Sequence, residues 1–470
     1  MLYRILKMFP EEFIKRLGNQ TSLNQVTLIE SLRSPEPVSI RINDDKWRHN
    51  PEGAPQVPWS KNGWYLKSRP SYTLDPLFHS GCYYPQEASS MFLETVFNQL
   101  IPERAGIKVL DLCGAPGGKS THISSLIGEK GFLIANEVIR SRASVLSENL
   151  TKWGHGNSIV TQNDPSLFRR LGPFFDVILV DAPCSGEGMF RDEIAVNEWS
   201  PDNAAHCSER QKRILMDIWP ALKENGLLIY STCTFNPDEN ERNVSWFSDM
   251  TNSESKKLNI SDMKGVIEIE QDNITGYAFY PDQINGNGFF ISVIKKTGGS
   301  DITHHGHQNI SEFSVSGKYH SFVRDWTTFL KGELIRMGDD LFGLPCSTDD
   351  FLLIRKNLKI IKAGTRLCTV KNNDFIPSHE LALSLKLQKG TFASVELDYQ
   401  QAISFLRRDN LILPALAKGW YIITYKGVNL GFVKNIGNRF NNYYPVEWRI
   451  RMDKIRMVNQ NLIKWETDIY

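Results

Sequence analysis

Between residues 106 and 296 five apolar or β-branched runs, IKVLDLC, GFLIANEV, NSIVTQND, DVILVDAPC and GLLIYSTCT, alternate with helix-length segments such as KSTHISSLIGEK and SRASVLSENLTKWG. Continuous apolar runs bounded by Gly, Asp or Pro and separated by helices are the pattern of strands buried on both faces of a sheet. The alternation predicts an α/β domain with a mostly parallel, doubly wound sheet. A later pair, YAFY and NGFFISVIKK, flanks the turn residues PDQING and predicts antiparallel strands closing one edge.

A chain of 470 residues is too long for one ordinary core. Residues 1–85 hold an apolar-periodic helix pair, then SPEPVSIRIN and a Pro-, Gly- and Trp-rich stretch, which together predict a small N-terminal module; the α/β domain is assigned to 86–298. The polar stretch TGGSDITHHGHQNISEFSVSG opens an intermediate region, 299–388, and reads as a linker. Its His304, His305 and His307 are read as solvated, and no metal is assigned. In the last region, 389–470, WYIITYKG and VNLGFVKN meet at a Lys-Gly turn and predict a hairpin in a β-rich domain.

No apolar run approaches the roughly 18 residues that crossing a membrane requires. The N-terminal MLYRILKMFPEEFIKRLG carries Lys7, Glu11 and Glu12 among its apolar residues and predicts a folded helix rather than a leader. Seven cysteines with no CxxC pair argue against a disulfide framework or zinc site, and a reducing cytoplasm is expected. A net charge of +1 does not announce a polyanion binder, so nucleic-acid contact would need local patches. Candidates are Arg41, Lys46 and Arg48, then Arg210, Lys212 and Arg213. A third is the stretch with Lys434, Arg439, Arg449, Arg451, Lys454 and Arg456, interleaved with Phe440, Tyr443, Tyr444 and Trp448. On charge alone that last stretch is a solvated face.

The segment VLDLCGAPGGKST ends a strand and opens a helix, and Gly114, Gly117 and Gly118 let backbone approach a ligand at the positive end of that helix. A phosphate loop of the GxxxxGK[ST] type would need glycine where Cys113 stands, and GxGxxG is absent. What remains is a nucleoside-type cofactor without a large phosphate group. Asp111, Glu137, Asp164 and Asp181 fall at the ends of successive strands, the edge where open α/β sheets bind ligands, with Glu137 suited to ribose hydroxyls. Any one of them alone would be read as a helix cap; the set of four points to a site.

Cys184, in DAPCSGEGMFR, and Cys233, in YSTCTFNPDENE, follow the fourth and fifth runs and would face the same crevice. A lone cysteine on an apolar strand is usually structural, but both sit among small polar residues beyond the strand. Asn236 and Pro237 read as a helix start that would help Cys233 ionise. These features alone do not rank the two thiols.

DLCGAPGGKS, DAPCSG and STCTFNPDENE, in that order, resemble three motifs of the Sun-related RNA cytosine-C5 methyltransferases, and SIRIN, GCYYPQEASSMF and GFFISVIKK extend the likeness. The resemblance implies a Rossmann-like methyltransferase domain using S-adenosylmethionine. It implies Cys233 as the nucleophile that adds to C6 of the base, Cys184 as the residue that assists release, and Asp181 against the base edge. Cofactor contacts would come from Cys113, Gly114, Ala115, Pro116, Gly117, Gly118 and Lys119, with Glu137 on the ribose, Asp164 near the adenine and Asp181 beside them. DNA cytosine-C5 enzymes attack from a Pro-Cys pair like Pro183-Cys184, and only the STC context favours Cys233. The family commonly has Ala at Gly114 and His at Asp282.

The chain length and the C-terminal WYIITYKGVNLGFVKNIGNRFNNYYPVEWRIR resemble bacterial members that act on 16S ribosomal RNA and end in a PUA-like RNA-binding domain. The implied substrate is a cytosine in the decoding region of 16S rRNA, in an assembled or assembling 30S subunit, and the implied protein is a monomer with an α+β RNA-binding N-terminal extension. With that family in view, the C-terminal basic and aromatic stretch reads as an RNA grip. A transfer-RNA cytosine methyltransferase and a non-catalytic ribosome-assembly factor are the rival readings.

Overall fold

The computed structural model describes residues 8–20, 23–298, 317–329, 334–372, 374–452 and 461–466; His304, His305, His307, Lys454 and Arg456 lie outside them. Helices α1 (Glu11–Gly18) and α2 (Gln25–Leu32) precede a three-stranded sheet of β1 (Val38–Ile42), β2 (Gly63–Leu66) and β3 (Tyr83–Pro85), in the order β2-β1-β3. After α3 (Leu93–Leu100) come β4 (Lys108–Asp111), α4 (Gly118–Ile127), β5 (Phe132–Asn136), α5 (Arg140–Trp153), β6 (Ser158–Thr161), β7 (Phe175–Asp181), α6 (Pro201–Ile218), β8 (Leu222–Thr232) and α7 (Glu241–Thr251). Then follow β9 (Glu254–Ser255), β10 (Val266–Gln271), β11 (Ile274–Phe279) and β12 (Phe289–Lys295).

The C-terminal part adds β13 (Leu334–Met337), β14 (Asp340–Gly343), α8 (Thr348–Asn357), β15 (Ile360–Ala363), β16 (Thr365–Lys371) and β17 (Asp374–Pro377). It ends with β18 (Ala393–Glu396), α9 (Tyr399–Arg407), β19 (Gly419–Tyr425), β20 (Val428–Asn435) and β21 (Phe440–Asn442).

The central sheet runs β10-β11-β12-β8-β7-β4-β5-β6-β15, with β9 beside β12. Strands β6, β5, β4, β7 and β8 are parallel, and β12 and β11 continue antiparallel, as the sequence predicts. Burial on both faces explains the uniform apolarity: every residue of β5 is buried. The chain winds from β4 outward through β5 to β6, then crosses back to β7 on the other side of β4 and on to β8, so the carboxyl ends of β4 and β7 flank a topological switch point, where open α/β sheets place their ligands. The predicted C-terminal hairpin is β19-β20, turning at Lys426 and Gly427, both at positive φ.

Long-range burial ties the regions together. Phe13 and Leu17 of α1 and Leu28, Ile29 and Leu32 of α2 join Phe190, Trp199 and Phe235 in the core beneath the sheet, the Phe13 ring 4.8 Å from that of Phe190. Asp282 accepts a hydrogen bond from Thr27 Oγ1 at 2.6 Å, so it serves here as an anchor for α2. Ile40, Trp47, Leu77 and Tyr83 share a second core with Phe405, Leu406, Tyr444 and Ile450 of the C-terminal domain. The segment after 334 also supplies β15, which pairs antiparallel with β6 and widens the central sheet.

Two residues expected to hold phosphate do other work. Arg41 is 2% exposed; it donates to Gln86 Oε1 (2.7 Å) and Thr121 Oγ1 (2.6 Å) and lies 4.3 Å over the Trp153 ring, fastening β1 to α4 and α5. Burial lowers its pKa to about 9. Lys46 donates to the carbonyls of Ser80 (2.9 Å) and Lys152 (2.6 Å), capping the C-terminus of α5, and burial lowers it to about 8. Arg48, Arg210 and Arg213 are exposed, while Lys212 pairs with Glu209. Among the described residues no helix is long and apolar enough to cross a membrane.

Candidate active site

The glycine-rich turn leaves β4 at Asp111 and enters α4 at Gly118. Gly117, at φ 123°, adopts a conformation that favours glycine, and the turn is held from outside by Gly114 N–H on the Asn136 carbonyl (2.8 Å), Arg142 on Ala115 O (2.9 Å) and Asn149 on Pro116 O (2.8 Å). Asn136, which the sequence does not single out, also donates to Leu112 O and Asn163 O and accepts from Thr161 Oγ1, so one amide locks three strand ends. Asp111 is fully buried and accepts from Ser120 Oγ at 2.6 Å; burial raises its pKa to about 7. A Cβ on Gly114 would stand 2.6 Å from Ser120 Oγ, so glycine leaves room for that bond.

Asp111, Glu137 and Asp181 gather around Cys113 and Lys119: after burial, the charges of Asp181 and Glu137 add to the rise of Asp111, and all three carboxylates add to that of Cys113. Glu137 is 4% exposed and accepts from Ile139 N at 2.9 Å, with Arg142 3.4 Å away. Asp164 stands apart. It lies beyond the end of β6, is exposed, and its Oδ1 caps the next turn through Ser166 N (3.0 Å) and Oγ (2.7 Å), which lowers its pKa. Helix capping, the plainer alternative for an acid near a strand end, describes that oxygen.

The two cysteine loops meet. Cys184 Sγ and Cys233 Sγ are 3.3 Å apart, and the hydrogen bond between them, together with burial, raises Cys184 well above the ordinary thiol range. Asp181 lies between the turn and the thiols, accepting from Ser231 Oγ at 2.8 Å and pairing with Lys119 Nζ at 2.9 Å. Burial works against the Lys119 ammonium, but Asp181 and then Cys233 outweigh it and hold its pKa above the ordinary value.

The expected helix start next to Cys233 is not there. Residues 237–240 form a turn, α7 begins only at Glu241, and the Asn236 side chain accepts from Asp238 N within an Asx turn. The cation brought to Cys233 is therefore Lys119, not a helix terminus. Two further groups that motif reading missed brace these loops. Gly188 N–H donates to Cys233 O at 2.9 Å, and a Cβ there would meet Gly288 O at 2.6 Å. Glu187, fully buried and raised to about 7 by burial, pairs with Arg16 of α1 and accepts from Trp199 Nε1 at 3.0 Å. Gln20 donates to Phe235 O at 3.1 Å, so the N-terminal segment touches both cysteine loops.

The crevice fits a nucleoside cofactor bearing cationic and hydroxyl groups: Asp111 Oδ1 is a buried acceptor without a hydrogen-bond partner among the described residues, beside the glycine turn and Glu137. The five-strand parallel order, the switch-point turn and the antiparallel β12 are those of a Rossmann-like methyltransferase fold. Residues 98–295 match the family model described as 16S rRNA methyltransferase RsmB/F, and three models specific to RsmF cover its N-terminal domain (9–88), first C-terminal domain (321–385) and PUA domain (392–450). The chain belongs to the ribosomal RNA small subunit methyltransferase F family. It is 30% identical over 480 residues to the protein of that name from Shewanella sp. (strain W3-18-1), covering 94% of this chain and 96% of the relative. It is 28% identical to that from Shewanella piezotolerans, with 92% of each covered. Among solved structures it is similar to a methyltransferase homologue from Pyrococcus horikoshii (29% identity, TM-score 0.54, 63% of this chain and 98% of that one). The fold is shared with NSun6 from the same organism, solved with SFG (21% identity, TM-score 0.52, 63% and 100%).

Proposed function

We propose that the protein methylates C5 of a cytosine in the decoding region of 16S ribosomal RNA, acting in the cytoplasm as a monomer on an assembled or assembling small subunit. The observation that carries this reading is the pair of thiols 3.3 Å apart beside the Lys119–Asp181 pair at the cofactor turn. S-adenosylmethionine, when bound, supplies the methyl group. The turn from Cys113 to Lys119 would face its methionine part, Glu137 its ribose and Asp164 its adenine.

Cytosine C5 is a weak nucleophile, and a thiolate bonded to C6 makes it enamine-like, dividing one hard step into two easier ones. In this reading the Cys233 thiolate forms the S–C6 bond while the C5–C6 π electrons shift toward C5 and N3 takes up a proton, and Asp181, steadied by Ser231 and Lys119, accepts a hydrogen bond from that N3–H. C5 takes the methyl group. A base, water reaching the crevice, then takes the C5 proton, the C5–C6 double bond re-forms, and the C6–S bond breaks to return the thiolate, with Cys184 assisting that release. The hydrogen bond to Cys233 and burial push the Cys184 thiol up, and the STC context of Cys233 carries its role as the attacking sulfur. A base reached in this way must leave its stack, which is cheapest in single-stranded or bulged RNA. Exposed Arg210 and Arg213 would hold phosphate nearby, and Lys434, stacked 5.3 Å over Trp420, with Arg439, Arg449 and Arg451 would grip RNA farther away.

The test is transfer of labelled methyl to naked 16S RNA and to small subunits, with the modified position mapped. Cys233→Ala should form no covalent RNA adduct, whereas Cys184→Ala should accumulate one. The reverse pattern makes Cys184 the nucleophile; transfer to neither RNA sample sinks the ribosomal assignment.

A further inference from the structure

Cys184 and Cys233 come from loops that leave different strands, yet in the reading proposed above both sulfurs serve one bound base. Something has to set their spacing, and the backbone alone does not, because each loop is irregular at the cysteine. Ser185 directly follows Cys184 and Thr234 directly follows Cys233, and the two hydroxyls are 3.0 Å apart. Both lie against the Glu239 carboxylate. Its Oε2 accepts from Ser185 N–H at 2.8 Å and from Gln211 Nε2 at 3.0 Å; its Oε1 accepts from Ser185 Oγ and, at 3.5 Å, from Thr234 Oγ1. Gln211 in turn donates to Pro183 O at 3.0 Å, so both neighbours of Cys184 in the chain are tied to the same carboxylate. The backbone of Glu239 is fixed as well, its carbonyl accepting from Tyr230 Oη at 2.6 Å within the strand that leads to Cys233.

Glu239 is fully buried and, among the described residues, forms no ion pair. An ionised carboxylate in that position is expensive to bury. An amide or hydroxyl would be cheaper but presents donors of its own, whereas a carboxylate offers only acceptors and can receive several donors converging from two loops. We infer that Glu239 is a positioning residue that sets the distance between the two thiols by gathering Ser185, Thr234 and Gln211 onto one carboxylate. The inference rests on the covalent reading proposed above and adds to it a residue that touches neither RNA nor cofactor.

Loosening this tie leaves Cys233 on its strand end, backed by Gly188 N–H, and frees the Cys184 loop. Attack survives and release suffers. The test compares full-length wild type, Cys184→Ala, Glu239→Gln and Glu239→Ala with whichever 16S RNA sample accepts methyl, following adduct formation, turnover, melting temperature and affinity for S-adenosylhomocysteine. In Glu239→Ala, turnover should fall roughly 10- to 100-fold, the range a misplacement of about 1 Å produces. A denaturant-stable protein–RNA adduct should accumulate, while affinity for S-adenosylhomocysteine is unchanged. Glu239→Gln, of equal size and keeping one acceptor, should fall between this and wild type, and it carries the test if the alanine variant does not fold. Adduct in Cys184→Ala but in neither folded Glu239 variant overturns the inference alone. Absence of adduct in Cys184→Ala overturns the covalent-release reading, and the inference with it.

Discussion

Replacing Gly114 with alanine would set a methyl group against a bond at the heart of the glycine-rich turn. The new Cβ would lie 2.6 Å from Ser120 Oγ and 3.2 Å from Asp111 Oδ2, which are themselves hydrogen-bonded at 2.6 Å. Backbone strain is not the issue, since Gly114 is not among the positive-φ glycines. The serine hydroxyl can swing away, so the steric cost is small, but Asp111 then loses the bond, and its Oδ1 already has no partner. A hydrogen bond to a charged acceptor contributes about 1.5–3 kcal/mol and one between neutral groups about 0.5–1.5. Against this, alanine restricts the unfolded chain and returns about 0.4–1 kcal/mol.

Which effect wins depends on pH. The folded pKa of Asp111, about 7, lies above its unfolded value, so the stability linked to this group is present at low pH and is lost as pH rises through about 7. Losing the Ser120 bond pushes the carboxyl higher still, so the deficit grows with pH. The net loss is near zero at pH 6, where Asp111 is mostly protonated, and about 1–2 kcal/mol at pH 8, a few degrees in melting temperature. Melting of Gly114→Ala, Ser120→Ala and the double variant at both pH values checks this, the double variant losing no more than Ser120→Ala alone. Equal losses at pH 6 and 8, or additive ones, refute the argument.

Arg41→Met and Lys46→Met should lower the melting temperature and leave the salt dependence of RNA binding unchanged, while Arg210→Ala and Arg213→Ala each reduce the salt slope by about 1 with melting intact; the opposite assignment returns Arg41 to the RNA surface. Gly188→Ala, whose Cβ would press on the Gly288 and Cys233 carbonyls, should cut turnover at least roughly tenfold without changing affinity for S-adenosylhomocysteine. His379 is buried with neither ring nitrogen hydrogen-bonded among the described residues, and burial, then Lys152, Lys46, Arg366 and His79, lowers its pKa to about 3. Its folded pKa lies below the unfolded one, so its contribution to stability is complete above pH 6.5 and is lost toward pH 3. His379→Phe should therefore gain about 2 kcal/mol more over wild type at pH 5 than at pH 8, read from urea midpoints.

What the sequence makes legible is whatever one stretch of chain decides for itself. Strands buried on both faces, the turn between Asp111 and Gly118, and the thiols beyond two strand ends all announce themselves in consecutive residues. The same local rule misleads at Asn236, where an Asn-Pro pair has the residues of a helix start but the Asn side chain is spent on its own turn and Asn240 is drawn to Thr232 and Thr234 instead. It misleads again at Arg41 and Lys46. A cation in sequence looks solvated until a carbonyl, an aromatic face and a neighbouring helix close over it, and those partners lie as far off as Thr121, Lys152 and Trp153. Glu239 and Arg16 are illegible for the same reason, because each acquires meaning only where loops from separate strands meet. The motifs therefore locate the two sulfurs, while the groups packed around them, Glu239 and Glu187 with Arg16, have partners distant in the chain.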